Sequence, residues 1–333
     1  MKKFQHRFIL GFLVALLAAS SLWGAAGAVS DSPAQIAEGL RAALVQAQLS
    51  LTSDPSASAQ LVKEAQAAYR DGLSDAISAS NPEANLRVNS AFEDLIDSVS
   101  SGDAASFAAA RAQVWTGILA GSYSIVEDAI QNGDGRTAQE WLPLREFRTA
   151  TRFSRPNVGA TITVESFISG DISAEETLLS VRADVLDTYQ ARLAESLQDL
   201  QTADANGFAL RRAELAALAE GYFFILSPAY LEQRGSTSLE EAQIAFHDLR
   251  LSAIDSPEEF NENLGIVENA LNNFRAAPLS PAEQSRRAGQ VLRFLSLVPV
   301  EYGRGVLDGR VTQDIEISTS PDATKIIGWM LIW

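Results

Sequence analysis

The sequence predicts an all-α protein, built as two helical-bundle-like halves behind a short apolar leader. Three observations carry this. A helix-start signal recurs along the chain. Long stretches keep apolar residues at helical spacing. Strand-like alternation is confined to two short segments.

The start signal is the capping box, Ser-x-x-Glu/Gln. It occurs at Ser32-Pro33-Ala34-Gln35, Ser173-Ala174-Glu175-Glu176, Ser238-Leu239-Glu240-Glu241, Ser256-Pro257-Glu258-Glu259 and Ser280-Pro281-Ala282-Glu283. In each, the serine hydroxyl is placed to accept from the N3 amide, while the N3 side chain reaches back to the cap amide. Three of the five put proline at N1, where a missing N–H costs nothing. Asn81-Pro82-Glu83 is a sixth start of the same kind.

These starts, with the apolar spacing behind them, predict helices over 33–51, 57–79, 82–100, 104–131, 137–154, 174–202, 205–233, 239–253, 257–276 and 281–307. Gly102, Gly133-Asp134-Gly135 and Gly235 supply stops. Leu178, Val181, Val185, Leu186, Tyr189, Leu193 and Leu197 hold helical spacing over five turns. Pro299 interrupts the last helix with a kink. The alternating pieces are Val158 to Ile168 and Val311 to Ile317; neither makes a sheet alone.

Residues 1–28 read as a secretory signal peptide. Lys2, Lys3 and Arg7 precede an apolar run from Phe8 to Ala19, and Ala26-Gly27-Ala28 offers a small-x-small cleavage site. A retained anchor is the alternative, although the run is short for a span of about 20 residues. The expected organisation is a signal peptide 1–28, an N-terminal helical half 29–156, an extended linker 157–172, a C-terminal helical half 173–317, and a short apolar tail 318–333. Echoes such as Tyr69 to Leu73 with Tyr189 to Leu193 fit an internal duplication, or the chance likeness of alanine-rich helices.

Charge and composition remove whole classes of function. The formal charge is −16, and loss of the leader takes away three positive and no negative charges, leaving −19. Such a body is a poor ligand for nucleic acid, which requires clustered Lys and Arg. The absence of cysteine excludes disulfides, thiolate metal sites and cysteine nucleophiles. Of two histidines, His6 leaves with the leader, so His247 is the one ordinary candidate for a neutral-pH base; its plainer reading is a partly exposed helix residue. No hydrolase, P-loop or zinc-protease motif occurs, and the chain reads as no enzyme.

Two features point to binding. Carboxylates suit hard cations, ferric iron included. Many acids are already explained as caps, but Glu127 and Asp128, near a helix end, are not. The second feature is a basic island, RTAQEWLPLREFRTATRFSR over 136–155. On a helix, Arg145, Arg148, Arg152 and Arg155 fall in one stripe, fit to hold an anion or to bridge to acidic neighbours.

Two stretches carry a resemblance: TAQEWLPLREFRTATRFSRP at 137–156, and FRAAPLSPAEQSRRAGQ at 274–290 through FLSLVPVEYGRGVLDGRVTQDIEI at 294–317. With RADVLDTYQARL and RRAELAALAEGYF between them, they resemble the extracytoplasmic N-terminal region of the bacterial high-affinity, oxidase-dependent iron permeases. The resemblance covers roughly 60–317. It implies an exported module on the periplasmic or extracellular face, which captures or presents iron or docks a partner. The implied partners are a membrane permease bundle and an iron-supplying oxidase or peroxidase.

Arg145-Glu146-Phe147-Arg148-Thr149 begins like that family's Arg-Glu-x-x-Glu motif but lacks the closing Glu, and no membrane bundle is present to carry it. Iron, if bound, is then held by carboxylates, with Glu127, Asp128, Glu146 and Glu301 as candidates. The alternative is a metal-free secreted helical scaffold.

Overall fold

A computed structural model describes residues 31–147, 159–256 and 258–277, with five further positions between 288 and 296. The described residues form ten helices and no strand, which confirms the all-α reading. The signal peptide, the alternating piece at 311–317, the tail at 318–333, and Arg148, Arg152, Arg155 and Glu301 lie outside the described residues.

In chain order the helices are α1 (Pro33–Ser50), α2 (Pro55–Gly72), α3 (Ser74–Ser80), α4 (Pro82–Ser101), α5 (Ala104–Gln131), α6 (Gly135–Trp141), α7 (Gly159–Ser169), α8 (Ala174–Ala205), α9 (Ala209–Ile254) and α10 (Phe260–Leu271). Complete capping boxes form at Ser32 and Ser173, and Asn81 caps α4 by accepting from the Ala84 amide. Gly102 ends α4 with a φ of 71°, in the left-handed region that favours glycine.

Helix α5 is the central rod. It is apolar nearly all round, from Phe107 to Ile130, and is buried on most of its surface. Helices α4 and α9 pack on it most extensively, and α8 lies along α9. Close approach is made possible by small side chains. Ala109 and Ala112 of α5 meet Ala213 and Ala217 of α9, and Gly221 of α9 sits directly on Thr116. Gly117 leaves room for Val88 of α4 in the same way, and Gly121 for Ile77 of α3.

Four expectations need correction. The helix expected over 57–79 breaks at Leu73. There Asn85 accepts from both Tyr69 Oη (2.7 Å) and Ser74 Oγ (3.0 Å), which pins the start of a second helix. Segment 159–169 is helical, not an extended linker. Asp184 of α8 accepts from the Ala160 amide at 2.9 Å and so caps α7 from another helix, while Ala160 and Val164 are buried. Threonines and branched residues favour strands only weakly, and packing overrides that preference. One apolar core runs through residues on both sides of this segment.

The helix expected over 137–154 ends at Trp141, since Pro143 lacks an amide hydrogen and crowds the residue before it. Helix α10 begins at Phe260 and not at Pro257, with no side-chain cap. Ser256 instead closes a turn, its carbonyl accepting from the Glu259 amide at 3.0 Å.

Helix α9 holds both helices expected over 205–253. Gly235, at φ 81° and ψ 171°, is non-helical inside it, and the two limbs fold back on one another. Phe223 stacks on Phe246 at 4.3 Å between ring centroids, and Arg250 reaches Glu220. Pro228 leaves the Phe224 carbonyl without its helical donor; the Ser227 hydroxyl donates to that oxygen at 2.6 Å instead.

Candidate functional site

A charged cleft of about 280 Å³ lies between α1, α5, α8 and α9. Its wall carries four arginines, Arg41, Arg111, Arg192 and Arg211, and four acids, Glu146, Glu195, Asp199 and Glu214. Trp115 and Tyr222 supply an aromatic side.

Glu146 organises the floor. Its Oε1 accepts from Trp115 Nε1 at 2.9 Å and from Tyr222 Oη at 3.0 Å, and its Oε2 lies 3.6 Å from Arg192 Nε. The segment after α6 delivers it there. With the helix stopped at Trp141, the Arg145 guanidinium turns back, donating to the Leu142 carbonyl at 3.2 Å and to Thr161 Oγ1 of α7 at 2.9 Å. Arg145 is buried, and desolvation lowers its pKa from the ordinary arginine value. Burial, and then the Glu146 charge, push the Tyr222 hydroxyl well above its ordinary range, so it stays a donor.

Most cleft arginines are shared among the acids. Arg111 contacts Glu214 at 2.5 Å and Gln48 at 2.8 Å. Arg211 contacts Glu214 at 2.7 Å and Asp199 at 3.8 Å. Arg192 donates to Glu195 at 3.0 Å and to the Phe147 carbonyl at 2.7 Å. Arg41 differs. It lies over Trp115 at 4.4 Å from the ring centroid, and its paired acid is Glu38, one turn away at 3.6 Å on the exposed surface.

The other expected site residues do not join this cleft. Glu127 pairs with Arg182 of α8 at 2.5 Å and accepts from Tyr123 Oη at 2.9 Å. Asp128 points the other way and accepts from Ser80 of α3. Glu127 lies twelve residues beyond Trp115 on α5, about 18 Å at 1.5 Å per residue. The arginine stripe loses its first member, because Arg145 follows the end of α6 and is on no helix. Among the described residues, no group of three or more His, Asp or Glu side chains could hold a metal ion.

Sequence reasoning missed Trp115, Arg192, Arg41 and the Arg111–Glu214 pair. One signal was present: Arg111 and Trp115 stand four apart in an otherwise alanine-rich helix, a stripe that interrupts its apolar surface. Nothing local marks Arg192 or Glu214.

A second charged cluster lies on the far face of α5. Glu220, buried in α9, accepts from Arg250 Nε at 2.7 Å and Gln113 Nε2 at 3.3 Å, and lies 3.7 Å from His247 Nδ1. Burial alone would raise the Glu220 pKa, but His247, Arg250 and Arg87 outweigh it and the carboxyl ends below its ordinary value. The bond to Glu220 raises the His247 pKa. His247 is half exposed and does not line the cleft. The signs give a prediction. The histidine contributes stability below pH 6.5 that is lost as pH rises through its folded pKa. The carboxylate contributes stability above pH 4.5 that is lost as pH falls through its own. Melting should therefore occur at higher temperature near pH 6 than near pH 8. Exposure limits this part of the difference to about 2 °C. His247→Gln should remove it, and an unchanged pH profile in that variant would refute the assignment.

The fold and the site define the class: an all-α body with a polar, arginine-rich cleft between its helices. Among the described residues, no helix is long and apolar enough to cross a membrane. The chain belongs to the iron permease FTR1 family. The model of the iron permease FTR1 N-terminal domain matches residues 30–270, and that of the iron permease-associated 4-helix bundle domain matches 280–322. This is a family of transporters, with iron as substrate and a membrane as context. No curated protein and no solved structure matches the chain.

Proposed function

We propose that this chain is the extracytoplasmic module of an iron-uptake permease, and that its cleft captures iron as an anionic polycarboxylate chelate and presents it to a membrane bundle. The observation that carries this is the cleft of about 280 Å³ with its four guanidinium groups. A bare ferric ion would need several oxygens to converge, yet the cleft acids are drawn to arginines. A chelate brings its own ligands and outer carboxylates, and it needs guanidinium groups. Partly exposed ion pairs are worth about 0–1 kcal/mol each, so an incoming carboxylate can take over an arginine at little cost. Arginine is also the side chain best shaped for a carboxylate fork.

Arg41 and Arg211 are the receiving groups, with Arg192 beneath them. Glu146 Oε2, which among the described residues has the longer contact to Arg192, is the protein oxygen closest to exchange onto the metal. Glu127 and Asp128, which lie outside this cleft, and Glu301 are further carboxylates for the same cargo. An oxidase or peroxidase supplying the iron completes the scheme.

The test is equilibrium dialysis of the full chain against radiolabelled ferric citrate. Retention should saturate and should be competed by excess citrate. It should weaken about tenfold, or about 1.4 kcal/mol, in Arg41→Gln or Arg211→Gln. Retention no greater than that of a charge-matched acidic control would remove the capture reading. The intramolecular pairing of the cleft acids would then favour the second reading, a metal-free helical scaffold.

A further inference from the structure

Two acids of the cleft are held far more loosely than the other two. Glu195 and Asp199 stand four apart on α8, so they share one face of that helix and lie along one edge of the cleft. Their side chains are 57% and 63% exposed, whereas those of Glu146 and Glu214 are 15% exposed. Glu146 is fixed by Trp115 and Tyr222, and Glu214 by Arg111 and Arg211. Glu195 pairs with Arg192 at 3.0 Å, and Asp199 reaches Arg211 at 3.8 Å. Neither acid caps a helix, because both sit more than a turn inside α8. Like charges four apart on a helix also repel, so helix stability does not account for the pair.

This edge tells two forms of one ligand apart. Among the described residues, the four arginines and four acids of the wall cancel in formal charge. A free polycarboxylate is negative throughout. When it takes Arg192 or Arg211, it displaces Glu195 or Asp199, and the displaced carboxylate stays nearby as a like charge. A ferric chelate carries similar outer carboxylates around a trivalent cation. The displaced acids then have a positive centre to turn to, and they offer it the oxygen atoms that hard cations prefer. Opposition to the empty chelator and attraction to the loaded one come from the same two side chains. A partly exposed charge contact of this kind is worth up to about fivefold in affinity.

We infer that Glu195 and Asp199 make the cleft select a metal-loaded polycarboxylate chelate over the same chelator without metal. The inference deepens the capture reading and rests on it. The arginines set how tightly carboxylates are held, and the two acids set which form of the chelator is held. Capture of iron in the presence of free chelator requires such a preference, because the empty chelator offers the arginines the same carboxylate forks.

Equilibrium dialysis of the full chain tests it, run once with radiolabelled ferric citrate and once with radiolabelled citrate free of iron. The parent should hold ferric citrate about tenfold more tightly than iron-free citrate. In the double variant Glu195→Gln/Asp199→Asn, iron-free citrate should tighten about fivefold and ferric citrate should weaken about twofold, which brings the two affinities level. Both substitutions keep the side-chain shape at exposed positions, and each single variant should move the ratio part of the way. A parent that holds both ligands equally overturns the inference and leaves capture standing. So does a double variant in which both ligands tighten alike, since the acids would then repel any anion, or one in which neither affinity moves. A parent that retains neither ligand overturns the capture reading itself, and this inference falls with it.

Discussion

Gly221→Ala is expected to destabilise the protein by about 1–3 kcal/mol, the usual cost of overpacking a close-packed core. In a chain of this size that lowers the melting temperature by about 2–4 °C per kcal/mol. The direction is opposite to that expected from helix propensity, by which alanine gains about 0.5–1 kcal/mol over glycine. The reason lies between α5 and α9. A methyl group on Gly221 overlaps the Thr116 side chain, including its Cβ, so no rotamer change clears it. The small residues Ala109 and Ala112, clustered with Ala213 and Ala217, extend the same close approach, and the two helices cannot part at one point without loosening there. Gly265 of α10 is the matched control, because a Cβ there meets nothing within 4 Å. Gly265→Ala should raise the melting temperature. If thermal denaturation moves both variants the same way, the α5–α9 contact is not as described.

Glu146→Ala is expected to cost about 2–4 kcal/mol, because the half-buried carboxylate is the acceptor for two buried donors. The truncation leaves Trp115 Nε1–H and Tyr222 O–H without their acceptor and strips Arg192 of one of its acids. A buried donor left unsatisfied costs about 1–3 kcal/mol. Glu146→Gln keeps an oxygen at the Oε1 position and should recover more than half the loss. Urea titration followed by tryptophan fluorescence measures both. An alanine variant within about 0.5 kcal/mol of the parent, the spread of an ordinary surface substitution, would show that Glu146 does not hold the cleft floor. The same substitution bears on function, since it frees Arg192 beneath the proposed chelate site.

The two predictions differ in how far the sequence foreshadows them. Gly221 is one glycine in a helix with ordinary spacing, and nothing around it announces a contact with Thr116, far earlier in the chain. Glu146 is visible in the sequence, because it stands in the basic island and resembles the opening of a family motif. Its partners are not. Trp115, Tyr222 and Arg192 come from three other helices and reach one carboxylate only after the chain turns at Pro143.

Local signals did well where the physics is local. Caps at Ser32, Asn81 and Ser173 formed as read, because a serine or asparagine bonds amides two or three residues away. Helix α5 ran over its expected residues, since apolar surface on every side requires burial. Gly235 broke the long helix where a helix stop was expected. Local reading failed where a distant group decided the outcome. Residues 159–169 look like a strand in isolation but become a helix because Asp184 caps them from α8. The arginine stripe assumed a helix through 154, and proline ended it at Trp141.

By itself the sequence determined an all-α chain, the helix caps at Ser32, Asn81 and Ser173, its lack of thiol chemistry and its likeness to the iron permeases, because each rests on residue type and near-neighbour spacing. Only the tertiary structure decided which charges share the cleft, and that Glu127, Asp128 and Glu146 serve separate partners. Side chains far apart in sequence converge according to how rods pack, and that packing is set by contacts such as Gly221 on Thr116 that no periodicity records.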